Sequence, residues 1–273
     1  MSKKIVIAID GGGIRGILPL VVLRHLFSDN RFNTPSFQKK IVWYGTSSGA
    51  LISASVLLHQ LKKTSIAQQI EYTLNYFELR SEHLMEHRTG NERPLKLLID
   101  KIFTGLTFDQ LEGLNILATE LPHFTPTLFN SKSPKTLLSD ALLATTAIPE
   151  LFPPKEINGK LYCDGYLVGK SPVKFVFENE NLSKGDILLS LGTGILSSQD
   201  AIETQLAADI DLAKNHCKKA GIEFYRLNPD LHFASEKMDN TKPRNIFNLK
   251  LDSYRFIEEN LAQLETIQKS ILE

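Results

Sequence analysis

Few folds accommodate the stretch from Ile41 to Ile52. Ile41-Val42-Trp43-Tyr44 is β-branched and aromatic and reads as a buried strand, while the Ala50-Leu51-Ile52 run after the glycines reads as a helix. Only Gly45-Thr46-Ser47-Ser48-Gly49 separates them, so the chain must reverse in one sharp turn. A Gly-x-Ser-x-Gly turn between strand and helix forces its serine into a strained backbone conformation with the hydroxyl pushed out at the tip. Gly45 and Gly49 allow this because strand and helix then pass too close for a Cβ. The turn also sets Ser47 at a helix N-terminus, where free N–H groups stabilise negative charge. Ser47 is therefore a candidate nucleophile, and the competing reading is a glycine-rich structural turn.

A second glycine turn lies upstream. Lys4-Ile5-Val6-Ile7-Ala8-Ile9-Asp10 reads as a strand buried inside a parallel sheet, and Gly11-Gly12-Gly13-Ile14-Arg15-Gly16 follows it, opening a helix with Pro19 in its first turn. Gly11-x-Gly13-x-x-Gly16 fits a dinucleotide fingerprint, which would seat a pyrophosphate on the helix N-terminus. That reading needs an acid about 20 residues on at a strand end. The candidate, Asp29, sits in what reads as a helix end. The other reading is an oxyanion hole: the N–H groups of Gly11, Gly12 and Gly13 aimed at a developing negative oxygen, with the Arg15 charge nearby.

Downstream, Lys160-Leu161-Tyr162-Cys163-Asp164-Gly165 reads as a strand ending in an acid after an Asn158-Gly159 turn, and Asp-Gly alone would pass for turn chemistry. Ile187-Leu188-Leu189-Ser190-Leu191 is another core strand, closing at Gly192-Thr193-Gly194. Ile66, Ile70, Leu74 and Phe77 mark one helix face, residues 113–119 and 127–129 short strands, 201–220 an amphipathic helix and 222–227 a late strand. A single terminal helix is expected over 251–272, with Leu251, Tyr254, Ile257, Leu261, Leu264 and Ile267 on one side. His83 and His87, four apart on a helix face, fit an H-x-x-E-H zinc pattern, but no third ligand is evident and no metal is expected. His216 and His232 follow Asp164 in the order a Ser-His-Asp hydrolase would use.

The 31 basic and 31 acidic residues cancel, and pI is about 7.1. Nothing points to nucleic acid, and no polybasic run points to an anionic membrane. Cys163 and Cys217 give no disulfide framework and read as a reducing compartment. The apolar run before Asp10 is too short for a signal-peptide core, and no run reaches the ~20 residues of a membrane span. The expectation is a cytoplasmic protein, with peripheral membrane contact allowed. Strands alternating with helices predict an α/β fold: a mostly parallel central sheet with helices on both faces, in one domain spanning 1–273, its motifs within about 4–194.

Five blocks carry a resemblance: Asp10-Gly-Gly-Gly-Ile-Arg-Gly16, Gly45-Thr-Ser-Ser-Gly49, Ala144-Thr-Thr-Ala-Ile-Pro149 continuing through Phe152-Pro153, Asp164-Gly165, and Ser190-Leu-Gly-Thr-Gly194. In this order they resemble the patatin-like phospholipase family. The resemblance implies a three-layer α/β sandwich, lipid acyl hydrolysis by a Ser47–Asp164 dyad, a glycine-rich oxyanion hole and no cofactor. It also implies an acyl-lipid substrate, such as a phospholipid or galactolipid, met at a membrane or micelle surface. The departure is Tyr166, where the family motif has Gly or Ala, which bears on the pocket beside the acid. Remaining alternatives are a Ser-His-Asp esterase using His216 or His232, a nucleotide-binding protein using Gly11–Gly16, and a lipid-binding module without turnover.

Overall fold

The computed structural model describes residues 3–33, 41–85, 93–133, 135–149, 151–197 and 200–273. Strand β1 (Ile5–Ile9) is buried along its whole length, as an apolar strand covered on both faces must be. A 3-10 turn (Gly13–Gly16) leads into helix α1 (Ile17–Leu26). Strand β2 (Ile41–Thr46), α2 (Ser48–Leu57), α3 (Ile66–Met85) and α4 (Arg93–Phe103) follow. Next come β3 (Leu114–Leu121), β4 (Thr125–Phe129), α5 (Leu138–Thr145), β5 (Lys155–Ile157), β6 (Lys160–Asp164) and α6 (Val173–Asn179). The chain then runs through β7 (Ile187–Leu191), α7 (Ala201–Ala220), β8 (Glu223–Leu227), α8 (Pro243–Glu259) and α9 (Leu261–Leu272).

One eight-stranded sheet holds the strands, with the pairing path β5-β6-β3-β2-β1-β7-β8 and β4 also on β3. Pairings among β3, β2, β1, β7 and β8 are parallel, and those of β4, β5 and β6 are antiparallel. Asn158 and Gly159 both take positive φ (53° and 77°) in the β5–β6 turn, the conformation an Asn-Gly hairpin favours.

The register on β3 positions everything that follows. Strand β2 runs beside its first half and ends with Thr46 opposite Leu117. Strand β6 runs back along its second half and ends with Asp164 opposite Ala118. Because β4 pairs with both Leu117 and Ala118, it occupies the other edge. Strands β2 and β6 therefore share one edge of β3 and meet tip to tip, so that Asp164 arrives where Ser47 begins its turn.

The sheet is covered on both sides. Ile5, Ile7, Ile9 and Trp43 face a layer formed by α1–α5, α8 and α9, while Val6, Ala8, Tyr44 and Leu188 face α6 and α7. The C-terminal segment differs from the single helix expected. It begins earlier, with Pro243 in the first turn, and breaks at Asn260 (φ −119°, ψ 18°), where the Asn260 amide donates to the Phe256 carbonyl. The break resets the helical register. Leu249, Leu264, Ile267 and Ile271 are buried, while Leu251, Tyr254 and Leu261 stay exposed.

At the β2–α2 crossing, a Cβ on Gly45 would lie 2.4 Å from the Ala50 nitrogen and one on Gly49 2.3 Å from the Ile9 carbonyl oxygen. Both contacts are with backbone, which cannot step aside as a flexible side chain can. Gly105 (φ +69°) has nothing within 4 Å of its would-be Cβ. Gly49→Ala is expected to cost about 3 kcal/mol or more, and Gly105→Ala about 1–2 kcal/mol from its backbone conformation alone. Urea denaturation of the two variants checks this; equal losses would contradict the packing account of Gly49.

Candidate active site

Ser47 has φ 54° and ψ −123°, a left-handed conformation that costs a non-glycine residue free energy and persists only when the surroundings enforce it. Those surroundings are identifiable. The Ser47 N–H donates to Thr145 Oγ1 (2.9 Å), and that hydroxyl donates to the Leu117 carbonyl, tying the elbow to α5 and β3. The Ser47 carbonyl accepts the Ala50 N–H (3.0 Å), starting α2.

Asp164 is fully buried beside it. Its N–H donates to the Ala147 carbonyl (3.0 Å), its carbonyl accepts from Thr119 Oγ1 (2.8 Å), and its Oδ1 accepts the Tyr166 N–H (2.9 Å). Burial pushes the carboxyl up to about 7, against the opposing pull of the Tyr166 N–H and the nearby Ser47 hydroxyl. The buried Oδ2 has no hydrogen-bond partner. Tyr166 orients the acid through its backbone N–H, which any residue there would supply, so the departure from Gly or Ala leaves this contact intact. Gly165 keeps the turn tight: a Cβ there would lie 2.3 Å from the Leu117 carbonyl oxygen.

The three glycine N–H groups have separate fates. Gly11 donates to the Lys170 carbonyl (2.9 Å), and Gly12 donates to Ser48 Oγ (3.1 Å). Gly13 (φ +59°) has no intramolecular acceptor among the described residues and lines the cavity that opens on Ser47. Donation from all three is therefore not what the geometry presents: Gly11 is committed to the backbone, Gly12 to a hydroxyl that can rotate away, and Gly13 is free. A methyl on Gly13 would strike the Met238 carbonyl oxygen at 2.2 Å rather than reach the serine. Gly16 is a packing position, its would-be Cβ 2.7 Å from the Phe77 ring. Arg15 is buried, with Nε donating to the Gly12 carbonyl and Nη1 unpartnered; burial lowers its pKa, opposed mainly by Glu203.

Residues the sequence reading did not single out hold this turn. Arg226 on β8 donates to Asp10 Oδ2 (2.6 Å) and to Ser190 Oγ (2.8 Å), and Asp10 is fully buried. Removing one partner of such a pair strands a buried charge, a loss of about 3–5 kcal/mol. Lys170, also buried, pairs with Glu203. No sequence signal marks Arg226. Thr145 lies inside the Ala144–Pro149 block, which marks its position but not its hydrogen bond.

A cavity of about 530 Å³ leads away from Ser47 between α2, α3 and α4, walled by Leu51, Phe77, Leu95, Ile99, Ile102 and Phe103 among others. His216 lies outside it, on α7, stacked 4.3 Å from Phe177 on the opposite face of the sheet; His232 lies beside Phe233, also outside the cavity. Asp29, the acid a dinucleotide would need, is bound to Arg31 at the surface (2.7 Å) instead of ending a strand. His87 falls outside the described residues, as do the side-chain surroundings of His83; among the described residues no three His, Cys, Asp or Glu side chains cluster as metal ligands would.

Fold and site together define an α/β protein with a serine elbow set against a buried carboxylate. Residues 7–177 match the family described as patatin-like phospholipase, and the chain belongs to that family. It is 26% identical over 243 residues to Patatin-16 of Solanum tuberosum, covering 73% of this chain and 62% of that protein. Patatin-1-Kuras 2 of the same plant is 26% identical over 244 residues, with 73% and 64% covered. The chain thus spans just under two thirds of the length of these relatives. Among solved structures, VipD from Legionella pneumophila aligns over 95% of this chain and 67% of its own at 12% identity and TM-score 0.43. The type III effector ExoU of Pseudomonas aeruginosa aligns over 93% and 53% at 16% identity and TM-score 0.37.

The buried carboxyl has a measurable cost. Between about pH 4 and pH 7 the folded chain holds a proton on Asp164 that the unfolded chain has released, so this group's contribution to stability declines as pH rises through that window. Asp164→Asn is expected to stabilise the fold above about pH 7, by up to about 4 kcal/mol, and to change little below about pH 4. Thermal melts of both proteins across pH check this; a pH-independent difference would contradict it.

Proposed function

We propose that this chain is a serine hydrolase that cleaves the carboxylic esters of acyl lipids, with Ser47 as nucleophile and Asp164 as its base. The observation that carries the reading is the tip-to-tip meeting of β2 and β6, which sets a strained serine against a fully buried carboxylate at the end of an apolar cavity. Asp164 takes the Ser47 proton as Oγ attacks the ester carbonyl. The N–H groups of Gly13, and of Gly12 once Ser48 Oγ turns away, receive the tetrahedral oxyanion. Collapse expels the alcohol portion, which takes the proton back from Asp164 and leaves an acyl-serine. Water, deprotonated by the same carboxylate, then releases the fatty acid and restores Ser47.

A carboxylate at its ordinary pKa of about 3.9 is a weak base at neutral pH; one raised to about 7 is matched to the task. The apolar cavity suits an acyl chain, and membership of the patatin-like phospholipase family supports phospholipids or related acyl lipids as substrates. The chemistry draws on no cofactor. Residues 1–273 act as one unit in this reading, because the sheet takes strands from Ile5 through Leu227 and both C-terminal helices pack on α1. Two buried free thiols fit a reducing, cytoplasmic setting. No helix among the described residues is long and apolar enough to cross a membrane, so lipid would be met at a surface.

Ser47→Ala is expected to abolish hydrolysis of a short-chain ester and fluorophosphonate labelling, while Ser48→Ala keeps most activity. Asp164→Asn should fall by several orders of magnitude, with the double variant no worse than Ser47→Ala alone, since groups acting as a unit are non-additive. His216→Gln and His232→Gln should stay active; collapse of either folded variant would establish a triad instead. The absence of labelling in the wild type would leave a lipid-binding module without turnover.

The acid limb of kcat/KM follows from Asp164. Activity should rise with pH through an apparent pKa near 7, because only the ionised carboxylate accepts the serine proton. Stopped-rate assays between about pH 5 and pH 9 read it directly. A profile already flat at about pH 5 would contradict the buried base.

A further inference from the structure

On α3, Tyr72, Tyr76 and Leu79 recur at i, i+4 and i+7 and so share one helix face, yet they are 52%, 40% and 77% exposed. The same three side chains line the cavity that opens on Ser47. Two cations, Lys62 and Arg80, stand on that lining, and neither forms an ion pair among the described residues. Two acids of this helix are drawn elsewhere: Glu71 pairs with Arg24 and Glu78 with Lys250.

We infer that this face of α3 rests on an anionic lipid surface and admits acyl chains from the bilayer directly into the cavity. The inference rests on the acyl-lipid reading above and adds the surface by which substrate is reached. Large exposed apolar side chains in contiguity mark interaction sites, and tyrosine and leucine beside snorkelling cations form the pattern of a helix lying in a membrane interface. Continuity with the cavity decides between occupants. A chain passing from bilayer to cavity across Tyr76 and Leu79 exchanges one apolar environment for another, a path that docking of a second protein here would cover. Three exposed side chains also fall far short of the roughly 800 Å² per partner of a stable dimer. Lys62 and Arg80 are 18 positions apart in sequence and form no basic run; folding alone brings them to the same rim.

The test uses Ser47→Ala chain, so that binding is read without turnover, floated with vesicles of phosphatidylcholine alone or of equal parts phosphatidylcholine and phosphatidylglycerol. Binding is expected to the anionic vesicles, weakened by salt. Leu79→Asp or Tyr76→Asp in that background should reduce it about tenfold or more, and Lys62→Gln or Arg80→Gln about fivefold each. Leu79→Ser, with thermal melts of every variant, guards against a folding defect. Failure to float on anionic vesicles, or flotation untouched by the α3 variants, overturns the inference. So does concentration-dependent self-association that Leu79→Asp abolishes, which would assign the face to a second copy. Hydrolysis of a soluble short-chain ester by the wild type is measured separately: turnover without vesicle binding removes the docking surface and leaves the hydrolase, while vesicle binding without turnover does the reverse.

Discussion

Two strands share a single edge of β3. Strand β2 pairs only as far as Leu117 because β6 occupies the same edge from Ala118 onward, and neither can extend without displacing the other. Backbone hydrogen bonds in the interior of a sheet are costly to break, so the junction between these strand ends is held rigidly. Ser47 turns away from it at one tip and Asp164 closes it at the other. The site's geometry is thus a consequence of ladder register, reinforced by Thr145, whose hydroxyl links the elbow N–H to the Leu117 carbonyl at the same junction.

Two fully buried acids near the site differ in their partners. Asp164 has only the Tyr166 N–H and the serine hydroxyl to support its charge, and desolvation raises its pKa to about 7. Asp10, buried to the same degree one strand over, is paired with Arg226. No basic side chain pairs with Asp164 among the described residues, whereas Asp10 is tied to Arg226 and anchors the start of the glycine turn. Charge pairing, not burial, distinguishes the two carboxylates.

The glycine turn meets the cavity at Gly13, but most of the cavity wall is helical. Gly11 is fixed by the loops after β6 and β7, with Lys170 accepting from its N–H and Thr193 donating to its carbonyl (2.8 Å). The cavity is built by α3 and α4, which pack over α2 and α5 and have no part in the sheet. Changes to those two helices away from Phe77, against which Gly16 of the turn packs, could therefore reshape what the cavity accepts while the serine and the acid stay where the sheet puts them.

Much of the site was legible in the residues alone. A strand, five turn residues and a helix can join at Gly45–Gly49 in only one way, because two glycines mark where backbones touch; local sterics sufficed to single out Ser47. The buried strands at Ile5–Ile9 and Ile187–Leu191, the helix at 201–220 and the acid at the end of 160–164 were likewise local matters of periodicity and turn chemistry. Tertiary structure decided what depends on partners distant in sequence. That Asp164 meets Ser47 follows from β3 pairing across 40 residues or more; that Gly11 is committed to a backbone acceptor follows from Lys170; that Asp10 is held by Arg226 follows from β8 lying beside β7. The split of the C-terminal segment at Asn260 was hidden because a smooth apolar period carries no record of a one-residue change in direction. Sequence records local steric demands directly, whereas long-range pairing is selected by the free energy of the whole sheet and leaves no mark at any single position.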